Sequence, residues 1–254
     1  MNERELSFDV GPSPDVAIRI AAGHIRVVEG PAGLIGVSIS AANPDKLLVQ
    51  QIRDHIQIGS EGRLRGSYRV RLEVPAGTDL KATVASGDID VLAPIGDFTA
   101  RSASGDISLE QATGRIDLKA ASGDITIGEA GGDTRVVSAS GDVKVDRAGS
   151  DISVATASGD LDLGTVAGAL TVKTASGDVR VRCCEGDALA AASVSGRLDL
   201  RIKPGRRVDL DINTMSGRVD LPEPSDSPSP ADGPGVRLVA KSVSGNINIG
   251  RADG

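Results

Sequence analysis

The tripeptide Ser-Gly-Asp recurs at Ser86, Ser104, Ser122, Ser140, Ser158 and Ser176, with a step of 18 residues each time and no slippage. A fixed internal period governs the whole fold, so it takes precedence over any local reading. Degenerate copies follow at Ser195-Gly196-Arg197, Ser216-Gly217-Arg218 and Ser244-Gly245-Asn246. A second marker runs half a period out of phase, at Gly96, Gly114, Gly132, Ser150, Gly168 and Gly186. Two turn signals per repeat leave two segments of about six residues, which is strand length and too short for a helix.

Alternation inside the segments agrees. After each Ser-Gly-Asp, apolar residues stand two apart, as in Ile107 and Leu109, Ile125 and Ile127, or Leu161 and Leu163, with Ser108, Thr126 and Asp162 between them. The second segments carry Ile116 and Leu118, Ile152 and Val154, or Leu170 and Val172. A period of two marks strands with one buried face. An alanine column at Ala85, Ala103, Ala121, Ala139, Ala157 and Ala175 suits a tight corner before each Ser-Gly-Asp.

An unvarying step with in-register apolar columns predicts an all-β fold, a parallel β-solenoid (a single-stranded β-helix) with 18-residue rungs. Rungs stack at the inter-strand spacing of about 4.8 Å, so roughly eleven of them would make a rod on the order of 50 Å long. The crossover rule favours right-handed coiling. One continuous domain is expected: residues 1–80 as an N-terminal cap with the first irregular rungs, and 81–254 as the regular solenoid. Segments 16–20 and 22–27 read as an early rung, 68–74 as another strand, and 44–56 as a short helix with Pro44 at its first position. A proline-rich loop at 222–235 explains why the step from Ser216 to Ser244 is 28 residues.

Composition fits a thin core. Phe8, Tyr68 and Phe98 are the only aromatic residues, so the interior is built from Val, Ile, Leu and Ala. With 28 basic and 35 acidic residues the net charge is −7, which argues against non-specific binding to nucleic acid or anionic lipid. Three aromatic rings supply no stacking platform for single-stranded nucleic acid. The N-terminal residues lack a basic and then apolar signal pattern, and no apolar stretch approaches 18 residues, so a cytoplasmic protein without membrane insertion is expected. The adjacent Cys183 and Cys184 are no disulfide framework, and on a strand one of them faces inward.

Candidate chemistry is sparse. In-register stacking places Asp88, Asp106, Asp124, Asp142, Asp160 and Asp178 in one column, neighbours about 5 Å apart and repelling by about 1 kcal/mol per pair in water. The favoured explanation is local: glycine supplies a positive φ, and Asp and Ser hydrogen-bond turn N–H groups. The sharper alternative is a cation ladder along the same six aspartates. The column changes sign at Arg197 and Arg218, and Arg180, Arg182, Arg201, Lys203, Arg206 and Arg207 cluster nearby. That cluster reads as a solvated face, or as a docking patch for an acidic partner centred on Arg206 and Arg207. His24 and His55, the two histidines, read as surface or cap residues, and no Cys/His metal spacing or phosphate-binding glycine loop is present. No catalytic residue and no cofactor are expected.

The repeats from Ser86 to Val181, the strand ending in Val74-Pro75-Ala76-Gly77 and the opening Ile20-Ala21-Ala22-Gly23-His24-Ile25-Arg26-Val27 resemble the bacterial "putative adhesin" β-strand-repeat family, of unknown function. The resemblance implies a β-solenoid without established enzymatic activity. A more distant likeness is to the polymer-forming bactofilins. The sequence therefore points to a non-enzymatic structural or interaction scaffold whose protein partner the residues do not name. Self-association is expected through an uncovered C-terminal rung at Ile247 and Ile249. A carbohydrate-active or ligand-binding β-helix and a bactofilin-like scaffold are the alternatives.

Overall fold

A computed structural model describes residues 2–59, 66–221 and 235–252, and the chain divides into two compact units, Met1–Gly131 and Gly132–Gly254. Both are β-solenoids built from the same rung, and among the described residues no helix is long and apolar enough to cross a membrane. Of the loop expected at 222–235, only Gly235 lies within the described residues.

The first unit holds β1 (Asn2–Asp9), β2 (Asp15–Glu29), β3 (Leu34–Ala41), β4 (Leu48–Ile52), β5 (His55–Gly59) and β6 (Tyr68–Val74). It continues with β7 (Asp79–Ser86), β8 (Ile89–Val91), β9 (Phe98–Ser104), β10 (Ile107–Ala112), β11 (Ile116–Ser122) and β12 (Ile125–Ala130). The second unit begins with β13 (Thr134–Ser140), β14 (Val143–Ala148), β15 (Ile152–Ser158), β16 (Leu161–Val166), β17 (Leu170–Ser176) and β18 (Val179–Cys184). Its remaining strands are β19 (Ala188–Ser195), β20 (Leu198–Ile202), β21 (Arg207–Ser216), β22 (Val219–Asp220), β23 (Gly235–Ser244) and β24 (Ile247–Arg251).

Each rung gives one strand to each of two parallel stacks. In the first unit Ile107 of β10 lies on Ile89 of β8 and under Ile125 of β12, while Ile116 of β11 lies on Phe98 of β9. In the second, Ile152 of β15 faces Leu170 of β17, and Leu161 of β16 faces Val179 of β18. These inward side chains are at most 2 % exposed. Because the side-chain period is two, a slip of one residue would turn the whole apolar set outward, and this holds the register.

The corners need glycine. Gly105 has φ +121°, and a Cβ there would sit 2.2 Å from the carbonyl oxygen of Gly87 one rung below; Gly177 repeats the arrangement over Gly159. Stacking this close excludes every L side chain, which is why the tripeptide keeps its central residue.

Spatial order departs from chain order at both ends. In the first unit β2 bends through both stacks and lies between the β5–β6 rung and the β7–β8 rung. Beyond β6 the direction reverses: β3 pairs antiparallel with β6 and β1 antiparallel with β3, while β4 and β5 form an antiparallel hairpin. In the second unit β23 lies between β19 and β21, and β24 between β20 and β22. The last rung of the chain is thus internal, and the rung at 207–220 is the outer one.

The helix expected at 44–56 does not form. A single 3-10 turn at Pro44–Lys46 ends at Leu47, which is extended and fully buried. The β-branched Val49, Ile52, Ile56 and Ile58 favour strands. Arg53, at φ +57°, closes the tight β4–β5 turn.

Candidate functional site

The aspartate column forms a ladder of hydrogen bonds between rungs. In the first unit Asp88 Oδ1 accepts the backbone N–H of Asp106 at 3.0 Å, and Asp106 Oδ1 accepts that of Asp124 at 2.9 Å. In the second unit Asp142 Oδ1 accepts from Asp160 at 2.8 Å, Asp160 from Asp178 at 2.8 Å, and Asp178 from Arg197 at 2.7 Å. The sequence reading placed these bonds within each turn. The carboxylates instead reach the turn of the next rung, because the left-handed glycine leaves that N–H pointing along the stack. One oxygen of each of these five carboxylates is therefore engaged by a main-chain donor, and among the described residues no three His, Cys, Asp or Glu side chains converge on a metal-sized space.

The ladder ends without aspartate in both units. His24 holds the equivalent position on β2, with Nε2 3.2 Å from Asp90 and Nδ1 3.9 Å from Asp88. In the second unit Arg197 comes next, then Asn246, whose Oδ1 accepts the N–H of Arg218 at 3.0 Å. Arg197 and Arg218 at the second-unit end oppose the negative charge of the carboxylates beside them.

A second ladder at the opposite corner went unread in the sequence. Asp79 accepts the N–H of Asp97 and Asp97 that of Arg115, both at 2.7 Å, and in the second unit Asp151 accepts that of Ala169 at 2.8 Å. The signal was there: an acid follows the half-period marker at Asp97, Asp133, Asp151 and Asp187.

The basic cluster is largely engaged internally. Arg182 grips Asp162 with both arms, at 3.1 and 2.6 Å, and this hydrogen-bonded pairing holds the guanidinium above its ordinary pKa. Arg201 pairs with Asp199 at 3.0 Å and Lys203 with Glu185 at 3.2 Å. Arg206 is half-buried and donates to the carbonyls of Glu185 and Gly235. Arg207 is exposed at the start of β21.

The expected terminal residues need correcting. Ile247 is fully buried and Ile249 is 3 % exposed, since β24 has neighbours on both edges. Among the described residues the open end belongs to β21 and β22. Among the described residues β21 pairs with β23 alone, in register from Arg207 opposite Gly235 to Ser216 opposite Ser244. Leu210 is 39 % exposed, whereas Leu238, directly beside it, is fully buried. The corner column that is alanine in the regular rungs enlarges here to Val194, Val243 and Met215, all exposed, and Leu221 adds to the apolar surface. In the first unit the outermost strand β1 carries Glu3, Arg4, Glu5 and Asp9, charges of the kind that blunt a sheet edge.

The family described as Toastrack DUF4097 matches residues 52–250. The chain belongs to this Toastrack family. No curated protein matches it in sequence. Among solved structures, a "putative adhesin" from Bacteroides fragilis NCTC 9343 is 11 % identical with a TM-score of 0.50, covering 97 % of both chains. A "putative lipid binding protein" from Parabacteroides distasonis ATCC 8503 is 14 % identical with a TM-score of 0.42, covering 98 % of this chain and 96 % of the other. The first likeness supports the Toastrack fold; neither carries a role over to this chain.

Proposed function

We propose that this chain is a non-enzymatic scaffold module that associates with a second copy of itself through the β21–β22 rung. The observation that carries the reading is the contrast between Leu210 and Leu238, equivalent core positions that differ from 39 % exposed to none. A row of unpaired strand groups beside exposed apolar side chains is a template for pairing. Burying one leucine side chain in such a joint contributes about 2 kcal/mol. The inventory of polar side chains supports a scaffold: the corner carboxylates hold main-chain N–H groups, and His24 and His55 lie against Asp90 and Asp15.

Sedimentation across a range of protein concentrations tests this. Self-association that weakens in Leu210→Lys, with the fold retained, is the expected result. A strictly monomeric species at millimolar concentration would overturn it.

A further inference from the structure

A cleft of about 540 Å³ opens on the outward face of the first unit, lined by parts of β2, β4, β5, β7 and β9. Its basic side chains are Arg19, Lys81 and Arg101, and none of the lining residues is acidic. Register fixes their arrangement. Arg19 lies beside Thr83, and Thr83 beside Arg101, across three adjacent strands. At about 4.8 Å per strand the two arginine Cα atoms stand roughly 10 Å apart with the threonine between them. Lys81 is two residues along the same strand and on the same face. Three cations therefore surround one hydroxyl. All three are exposed, and none has an ion-pair partner among the described residues.

Arg4, Arg71, Arg182 and Arg201, by contrast, each lie against a carboxylate. The rest of the cleft differs in character. Gln50 and Gln57 face each other across the β4–β5 hairpin, and Gln57 lies beside Ala17. Gly59 and Ala17 contribute no bulk, which leaves room next to the cations.

We infer that this cleft binds a phosphate ester with a hydroxylated body, of sugar-phosphate size. A dianionic group with three terminal oxygens matches two arginines, a lysine and a hydroxyl, through charge-assisted bonds about twice as strong as neutral ones. The volume exceeds that of a phosphate and falls in the usual range of small-molecule sites. The body of the ligand lies over Ala17 and Gly59, where the two glutamine amides both donate to and accept from hydroxyl groups.

Titration calorimetry with glucose 6-phosphate at low salt, and co-sedimentation with phosphatidylcholine vesicles containing phosphatidylinositol 4-phosphate, whose headgroup carries the same monoester, separate a free ligand from a lipid headgroup. Binding to either probe that falls at least tenfold in both Arg19→Gln and Arg101→Gln, but not in the second-unit control Lys241→Gln, is the expected result. A positive first arm identifies a soluble ester, and a positive second arm alone identifies a lipid surface. Failure of both arms, or an equal loss in Lys241→Gln, would overturn the assignment. Retention of the wild-type melting midpoint in each variant shows that the fold is intact.

Discussion

Asp106 Oδ1 accepts the backbone N–H of Asp124, 18 residues further along the chain, at 2.9 Å. A side chain thereby does the work of a strand at a corner where the strands have ended. Asp106→Ala removes a charge-assisted bond from an exposed corner and is expected to cost about 1 kcal/mol. Asp106→Asn is expected to cost less, because an amide oxygen accepts the same kind of bond where Asn246 holds Arg218. Urea titration of the two variants measures the difference. Calcium chelation is expected to leave the wild-type melting midpoint unchanged, and a fall of several degrees would show that the carboxylates hold a cation instead.

Glycine substitution is expected to separate strain from crowding. Gly105→Ala forces a Cβ against the Gly87 carbonyl at 2.2 Å in addition to a positive φ, whereas Gly205 has φ +79° and nothing within 4 Å. The first is expected to cost about 3 kcal/mol or more and the second about 1. Equal losses in denaturant midpoint would show that close rung stacking is not what demands glycine.

A column of hydroxyls just inside the corner offers a sharper contrast. Ser138 Oγ donates to the Ser140 carbonyl at 3.1 Å, and Thr174 Oγ1 to that of Ser176 at 3.1 Å, while Ser102 Oγ is buried without a partner among the described residues. Ser138→Ala is expected to destabilise by about 1 kcal/mol, and Ser102→Ala to be neutral or stabilising. The next rung already carries Ala120 at the Ser102 position.

Burial raises the thiol pKa of both cysteines above the ordinary value, with the buried Cys184 shielded most. The folded state thus holds these protons more tightly than the unfolded chain. Their contribution to stability is complete below the thiol range of the unfolded chain, and it is lost as pH rises through the higher folded value. Stability measured between pH 8 and 11 is expected to fall less steeply in Cys184→Ala than in wild type. Iodoacetamide is expected to label Cys183, which is partly exposed, ahead of Cys184.

Association through β21 is expected to strengthen with salt. Asp209 and Asp211 are exposed on that edge strand, and screening shortens the reach of their repulsion when two edges approach. Light scattering at 50 mM and 500 mM NaCl reads the shift; weaker association at high salt would point to an ion-paired joint instead.

Much of this was legible in the residues. Ile107, Ile125 and Leu161 announce the inward face by their spacing, and Gly105 and Gly177 announce the corner by their place in the tripeptide. The partners of the aspartates were not legible, because the N–H that Asp106 meets belongs to a turn 18 residues away and only stacking brings it near. The helix expected at 44–56 was misread because Pro44 starts a turn as readily as a helix, and the β-branched residues after it belong to a hairpin. The cleft cations are legible only once β2, β7 and β9 are known to be neighbours.

The period of the rung, its inward columns, its glycine corners and its narrow aliphatic interior follow from the residues. Which rung lies against which follows only from the folded chain. Every rung offers the same alternation and the same corner, so local preference barely distinguishes one neighbour from another. The choice falls to contacts far apart in the chain, which set β2 between β6 and β8 and bury Ile247 between β20 and β22. That choice moved the open end from Ile249 to Leu210, and the candidate interface with it.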